Sequence, residues 1–180
     1  MPGIGHLAVG LAAARVTTPP AGFGRWRWTM LLAAVSFAPD LDVLGFPLGV
    51  PYDAPFGHRG ALHSLTFAAL TGCALALAAR ASDLPALRIL CSTSLVMASH
   101  GILDAFTDGG RGVALLWPFT DARYFAPWRP IPVSPIGPAV FSGRGLHVIF
   151  YEAVLFSPLL VVAFWPRAVR STRSQSSCRD

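Results

Sequence analysis

The sequence contains no lysine; all 14 of its basic residues are arginine. Acidic groups are equally scarce, nine in all, and Glu152 is the sole glutamate. Charged residues make up 13% of the chain, against about 25% in an average soluble domain. That deficit argues against an ordinary cytosolic enzyme and against a disordered protein. The arginines come in ones and twos, so the net charge of +5 does not form the dense stripe of a nucleic-acid binder, and no nucleic-acid partner is expected. The three cysteines, Cys73, Cys91 and Cys178, form no CxxC pair. This argues against a thiolate zinc site and against a disulfide-stapled secreted fold. What is present instead is apolar: 53% hydrophobic residues and a mean hydropathy of +0.54. At 180 residues the length suits one domain, and the composition points to a small integral membrane protein.

Crossing a bilayer takes about 20 mostly apolar residues. Three stretches reach that length: Ala61–Arg80, Leu84–Phe106 and Leu146–Pro166. Two shorter apolar segments, Ile4–Val16 and Trp28–Ala38, precede them, the second with Asp40–Phe46 as a possible outward extension. The predicted fold is therefore all-α, a polytopic bundle with three full-length spans and two shorter N-terminal helices. Thr107–Gly145 carries six prolines together with Trp117, Phe119, Tyr124, Phe125, Trp128 and Phe141. A loop so long is usually functional or disordered, and its aromatic content favours order. The embedded domain is expected to cover residues 1–166, and the arginine- and serine-rich residues 167–180 to form a flexible polar tail. Met1–Val16 has no basic residue ahead of its apolar run and has His6 inside it, so it does not read as a cleaved signal peptide.

Letting the segments alternate across the membrane sorts the charges. One face receives Arg15, Arg25, Arg27, Arg80, Arg88 and the four arginines of the tail, against Asp83 and Asp180. An arginine excess marks the cytoplasmic side, so the C-terminus is expected there, in the inner (plasma) membrane. The opposite, outward face receives Asp40, Asp42, Asp53, Asp104, Asp108, Asp121 and all five histidines. Nothing in the charge argument requires the histidines to group.

Three elements on that face carry ligand chemistry. His100 and Asp104 form an HxxxD pair, which a helix places on one side, a turn apart. Such a pair is also common as a plain ion pair, but ionisable groups inside an apolar span are costly and usually functional. Asp40 and Asp42 follow Pro39 in FAPDLDVLGF; both carboxylates can approach one cation, or one can bind while the other orients a ligand. His58-Arg59-Gly60-Ala61-Leu62-His63 brings two histidines and a fixed cation to the start of a helix. Arg59 suits a phosphate or carboxylate clamp, or snorkelling at the interface. His6 and His147 are weaker candidates, as ligands, groups behind a ligand or interfacial residues. Asp108, in TDGGRG, offers an oxygen ligand or an orienting contact to His63. The combined set of His100, Asp104, His63, Asp40, Asp42, His58 and His6 fits one or two divalent ions, Zn²⁺ foremost and Mn²⁺ or Mg²⁺ after it. A water on such an ion becomes a nucleophile near neutral pH. Arg59, Asp42 and Asp108 are the expected catalytic partners, with Arg111 and Arg123 as further cations.

At FAPDLD (37–42), GHRGALHS (57–64) and SHGILDAFTDGG (99–110), together with the His6 segment, WPF (117–119) and RYF (123–125), the chain resembles the YdjM-like family of membrane-bound metal-dependent hydrolases. The resemblance implies a helical membrane protein with a metal-hydrolase centre and supplies no substrate. A more distant similarity, to zinc-dependent phospholipase C and the single-strand nucleases, rests on an Asp, a His and an HxxxD pair. This sequence lacks their further HxxxD/E site, which argues against a three-zinc cluster.

The expected function is hydrolysis of an ester or phosphoester by a metal-activated water, on a lipid-like substrate at headgroup depth, with no obligate protein partner. The alternatives use the same cluster without catalysis, in a transporter, an ion-binding protein or a structural metal site. A serine hydrolase on Ser64 or Ser99 lacks a GxSxG elbow.

Overall fold

The computed structural model describes residues 3–166. The expected tail, 167–180, lies outside the described residues. Among the described residues six α-helices carry the fold: α1 (Gly3–Val16), α2 (Arg25–Phe37), α3 (Leu65–Arg80), α4 (Ala86–Ala105), α5 (Gly143–Leu155) and α6 (Ser157–Phe164). Three 3₁₀ segments, Ala38–Gly45, Ala61–His63 and Gly137–Phe141, join them. Among the described residues there is no β-strand, only two isolated bridges within or beside the long loop, Thr107–Ile131 and Val113–Tyr124. The all-helical expectation holds.

The span assignments change in detail. Among the described residues, two continuous stretches are long and apolar enough to cross a membrane, Arg25–Gly45 and Ala86–Ala105, and a third is reached if the bent pair Gly143–Leu155 and Ser157–Phe164 counts as one span. The first is longer than the Trp28–Ala38 segment of the sequence reading, because the 3₁₀ segment continues α2 past Pro39. Leu146–Pro166 is not one straight span. It is α5 and α6, bent by 64°, with Pro158 in the first turn of α6, where the ring denies the continuing helix a hydrogen bond. Ala61–Arg80 also shortens. Ser64 accepts a 3.0 Å hydrogen bond from Phe67 N and caps α3, so the helix proper starts at Leu65 and Ala61–His63 is a separate turn.

α3 and α4 form the most extensive helix pair, and α1 is central, touching α2, α4, α5 and α6. The α3 face toward the bundle is Ala68, Gly72 and Ala76, all buried and spaced by four. Small residues at that spacing let membrane helices approach closely; a Cβ on Gly72 would press on Ser94 Oγ and lie 3.0 Å from Leu90 O. Trp28, Leu32, Val35, Val96 and Met97 fill the core between α2, α3 and α4. Leu70, Leu77, Leu87 and Leu95 point outward, 59–72% exposed, while His6, Asp40, Asp42, His58, Arg59, His63, His100 and Asp104 are buried. Apolar outside and ionisable inside suits a lipid surround.

Candidate metal centre

The centre forms where α1, the 3₁₀ segment after α2, the turn before α3 and the end of α4 meet. His100 and Asp104 come from one face of α4. Their Nε2 and Oδ2 atoms are 3.8 Å apart. Gly101, between them, lets the His63 backbone carbonyl lie where a Cβ would otherwise sit. That close approach brings His63 Nε2 to 3.1 Å from His100 Nε2. Asp40 Oδ1 is 3.2 Å from His100 Nε2 and 3.4 Å from His63 Nε2. Asp104 Oδ2 is 3.3 Å from His63 Nε2. These four donor atoms lie within 4.8 Å of one another.

The separations are those of ligands around one ion. A tetrahedral site with metal–ligand distances of about 2.0–2.1 Å has ligand–ligand edges of about 3.3–3.4 Å, and the five distances above run from 3.1 to 3.8 Å. Hydrogen bonds alone do not account for them: one N–H at His63 Nε2 cannot serve His100 Nε2, Asp40 and Asp104 together. Both oxygens of Asp40 are buried without a hydrogen-bond partner, a costly state unless a cation meets them, and of the two Asp104 oxygens only Oδ2 has a protein cation beside it, Arg59 Nε at 3.2 Å. Charge points the same way. Asp40, Asp42 and Asp104 are three buried carboxylates beside one buried guanidinium, Arg59, which pairs with Asp104; with His63 neutral, a divalent cation would offset the excess negative charge.

The groups behind the cluster orient it. His100 Nδ1–H donates to Ser36 O at 2.7 Å, so its Nε2 presents a lone pair to the centre. His63 Nδ1 lies 3.1 Å from Asp42 Oδ2, and His58 Nδ1–H donates to Asp42 Oδ1 at 2.7 Å. This is the carboxylate–histidine arrangement typical behind metal ligands. It follows from local geometry: at about three residues per turn in a 3₁₀ helix, residues two apart diverge by about 120°. Asp40 and Asp42 therefore cannot face the same point, and they address opposite nitrogens of His63. Asp42, His58 and His63 also satisfy the proximity of a second ion site. Burial opposes the charged form of His63, but its contacts to Asp104, Asp40 and Asp42 outweigh it and raise its pKa well above 6.5.

Arg59 is 1% exposed and sits in left-handed backbone at φ 61°. Its N–H donates to Asp42 Oδ2 at 3.0 Å and its carbonyl accepts from Ala114 N at 3.0 Å. The guanidinium Nε is 3.2 Å from Asp104 Oδ2, and Nη1 donates to Thr107 Oγ1 and Gly109 O at 2.8 and 2.9 Å. Nη2 has no hydrogen-bond partner among the described residues. Backbone strain of this kind concentrates at functional sites. His6 stacks on His100 at 3.5 Å with planes 7° apart, and its Nε2 is 3.5 Å from Asp104 Oδ1.

The structure thus brings His100, Asp104, His63, Asp40, Asp42, His58, His6 and Arg59 together. It does not bring Asp108. That side chain is exposed and accepts from Val133 N at 2.7 Å, pinning the long loop rather than touching His63. Arg123 binds the carbonyls of His58 and Tyr52, Arg111 pairs with Asp53 at the surface, and His147 is exposed on α5. Ser64 caps α3 and Ser99 Oγ bonds to Val96 O, so neither hydroxyl is arranged as a nucleophile. Sequence reasoning missed Thr107, Ser36 and Gly101. Gly101, adjacent to the HxxxD histidine, carried the one readable signal.

An all-helical membrane protein with a buried His/Asp cluster able to hold a metal ion is the class these features define. The chain belongs to the YdjM inner membrane protein family, whose model matches residues 1–171. It is 39% identical over 153 residues to the inner membrane protein YbcI of Escherichia coli (strain K12), covering 83% of this chain and 84% of that protein. No solved structure matches it.

Proposed function

We propose that this protein is a membrane-bound, metal-dependent hydrolase acting on an ester or phosphoester near the bilayer surface. The observation that carries the reading is the convergence of His63 Nε2, His100 Nε2, Asp40 Oδ1 and Asp104 Oδ2, with the outer nitrogens of both rings turned toward acceptors. Two imidazoles and two carboxylates suit Zn²⁺ best, then Mn²⁺. Bound there, the ion would act as a Lewis acid and make a water nucleophilic near neutral pH. The chain's own groups supply the rest. Asp42 holds His63 in place and is held in turn by His58 and the Arg59 N–H. Arg59 Nε steadies Asp104, and its Nη2 hydrogens remain to meet negative charge developing on a substrate oxygen. His6 borders the cluster, stacked on His100 with its Nε2 3.5 Å from Asp104 Oδ1. The outward placement of the centre and the cytoplasmic C-terminus belong to the same proposal, on the arginine distribution.

The test is a chelator-controlled screen of lipid and soluble phosphoesters and esters on purified protein, with metal content measured in parallel. Bound metal and chelator-sensitive turnover, both lost in His100→Ala, support the reading; full activity in metal-free protein overturns it. One observation favours a second reading, a metal that only ties helices together. Four protein donors at 0–9% side-chain exposure can saturate a tetrahedral ion. That reading predicts stoichiometric metal, a large loss of thermal stability on chelation and no turnover of any substrate.

A further inference from the structure

We propose that the apolar cleft beside the metal centre holds the acyl chain of a membrane lipid, with Glu152 hydrogen-bonded to a hydroxyl of that lipid. The inference rests on the hydrolase reading and names its substrate class. The cleft has a volume of about 380 Å³ and is walled by Leu7, Phe37, Val43, Val140 and Ile149, with Glu152 as its one ionisable residue. Its walls continue the elements that build the centre. Leu7 follows His6 on α1, Phe37 lies three residues before Asp40, and Val43 follows Asp42. A chain in the cleft would therefore run alongside the residues that carry the ligands. Phe37 and Ile136 at its edge are 37% and 41% exposed, and Phe141 and Phe150 nearby in sequence are 77% and 70% exposed. Apolar side chains of the cleft wall therefore reach the surface.

Glu152 makes the cleft more than an apolar crevice. It is 1% exposed. Oε2 accepts from Ile4 N at 3.0 Å, capping α1 from 148 residues away, while Oε1 is buried with no hydrogen-bond partner among the described residues. A carboxyl oxygen left without a protein hydrogen bond on an apolar wall selects an amphiphile with a hydroxyl close to its chain, such as a free glycerol hydroxyl, which can donate or accept.

The test uses full-length protein in vesicles with a lysophosphatidylethanolamine carrying a diazirine at the end of its acyl chain. Light-induced adducts are mapped by peptide mass spectrometry. Labelling of the peptides containing Leu7, Val140 and Ile149 should exceed that around Leu70, Leu87 and Leu95 several-fold. Excess unlabelled lysolipid should suppress it selectively, and Ile149→Trp should reduce it. Equal labelling of both regions, or no effect of the competitor on the unmutated protein, overturns the proposal whether or not Ile149→Trp folds. Chelation and His100→Ala separate the two claims. If the hydrolase reading fails, cleft labelling persists without turnover; if the cleft proposal fails, chelator-sensitive hydrolysis of a soluble phosphoester persists without cleft labelling.

Discussion

At the residue scale the centre is a set of divided labours, and each division has its own expected outcome. His100→Ala removes a donor atom and should abolish metal binding and turnover together, checked by elemental analysis and the chelator-controlled assay. Asp42→Asn keeps every donor atom but weakens the hold on His63. It should retain metal with affinity lower by about 10–100-fold, as is typical for groups behind a ligand; an unchanged dissociation constant would remove Asp42 from that role. Protons compete with the ion at His63. Its folded-state pKa is raised above 6.5, so in metal-free protein its contacts stabilise the fold fully below pH 6.5. That contribution is lost as pH rises through the raised value. The melting temperature of the metal-free protein should fall with increasing pH over that range. Metal affinity should move the other way, weakening on acidification with proton release on binding. Calorimetry in buffers of different ionisation enthalpy reads both.

Helix elements set how accurately those residues meet. Gly101 touches no ion, yet it fixes the gap between α4 and the turn carrying His63. Gly101→Ala would force the His63 carbonyl away, so metal affinity should drop although all donors remain, a result titration with a fluorescent zinc competitor would show. Gly72 is the parallel case for stability. Gly72→Leu overfills the α3–α4 contact and should destabilise by about 1–3 kcal/mol, while Leu70→Ala on the lipid side should change the melting temperature far less. The sequence disclosed much at this scale: the all-helical class, α1, α4 and the order of the long loop follow from apolar runs and aromatics. Other features were hidden. The kink at Pro158 and the capping by Ser64 are local hydrogen-bond events that hydropathy averages over. Asp40 and Asp42 look equivalent in DLD, and only the 3₁₀ geometry separates a donor atom from the group behind His63. Asp108 sits beside the HxxxD motif in sequence, but a 25-residue excursion returns Val133 to it and turns it away from the centre.

At the scale of the whole molecule, the arginine distribution predicts that a reporter fused after Asp180 scores as cytoplasmic; an external score would reverse the orientation. The short helices have a consequence for the surroundings. α1 and α3 hold 14 and 16 residues, about 21 and 24 Å of helix at 1.5 Å per residue, against a hydrocarbon thickness of about 30 Å. Were α1 and α3 to cross beside the two longer stretches, the bilayer around them would have to thin, drawing the headgroup plane toward the buried cluster. Short-chain lipids should then be the better host, and a lipid near the protein starts its approach already partway down.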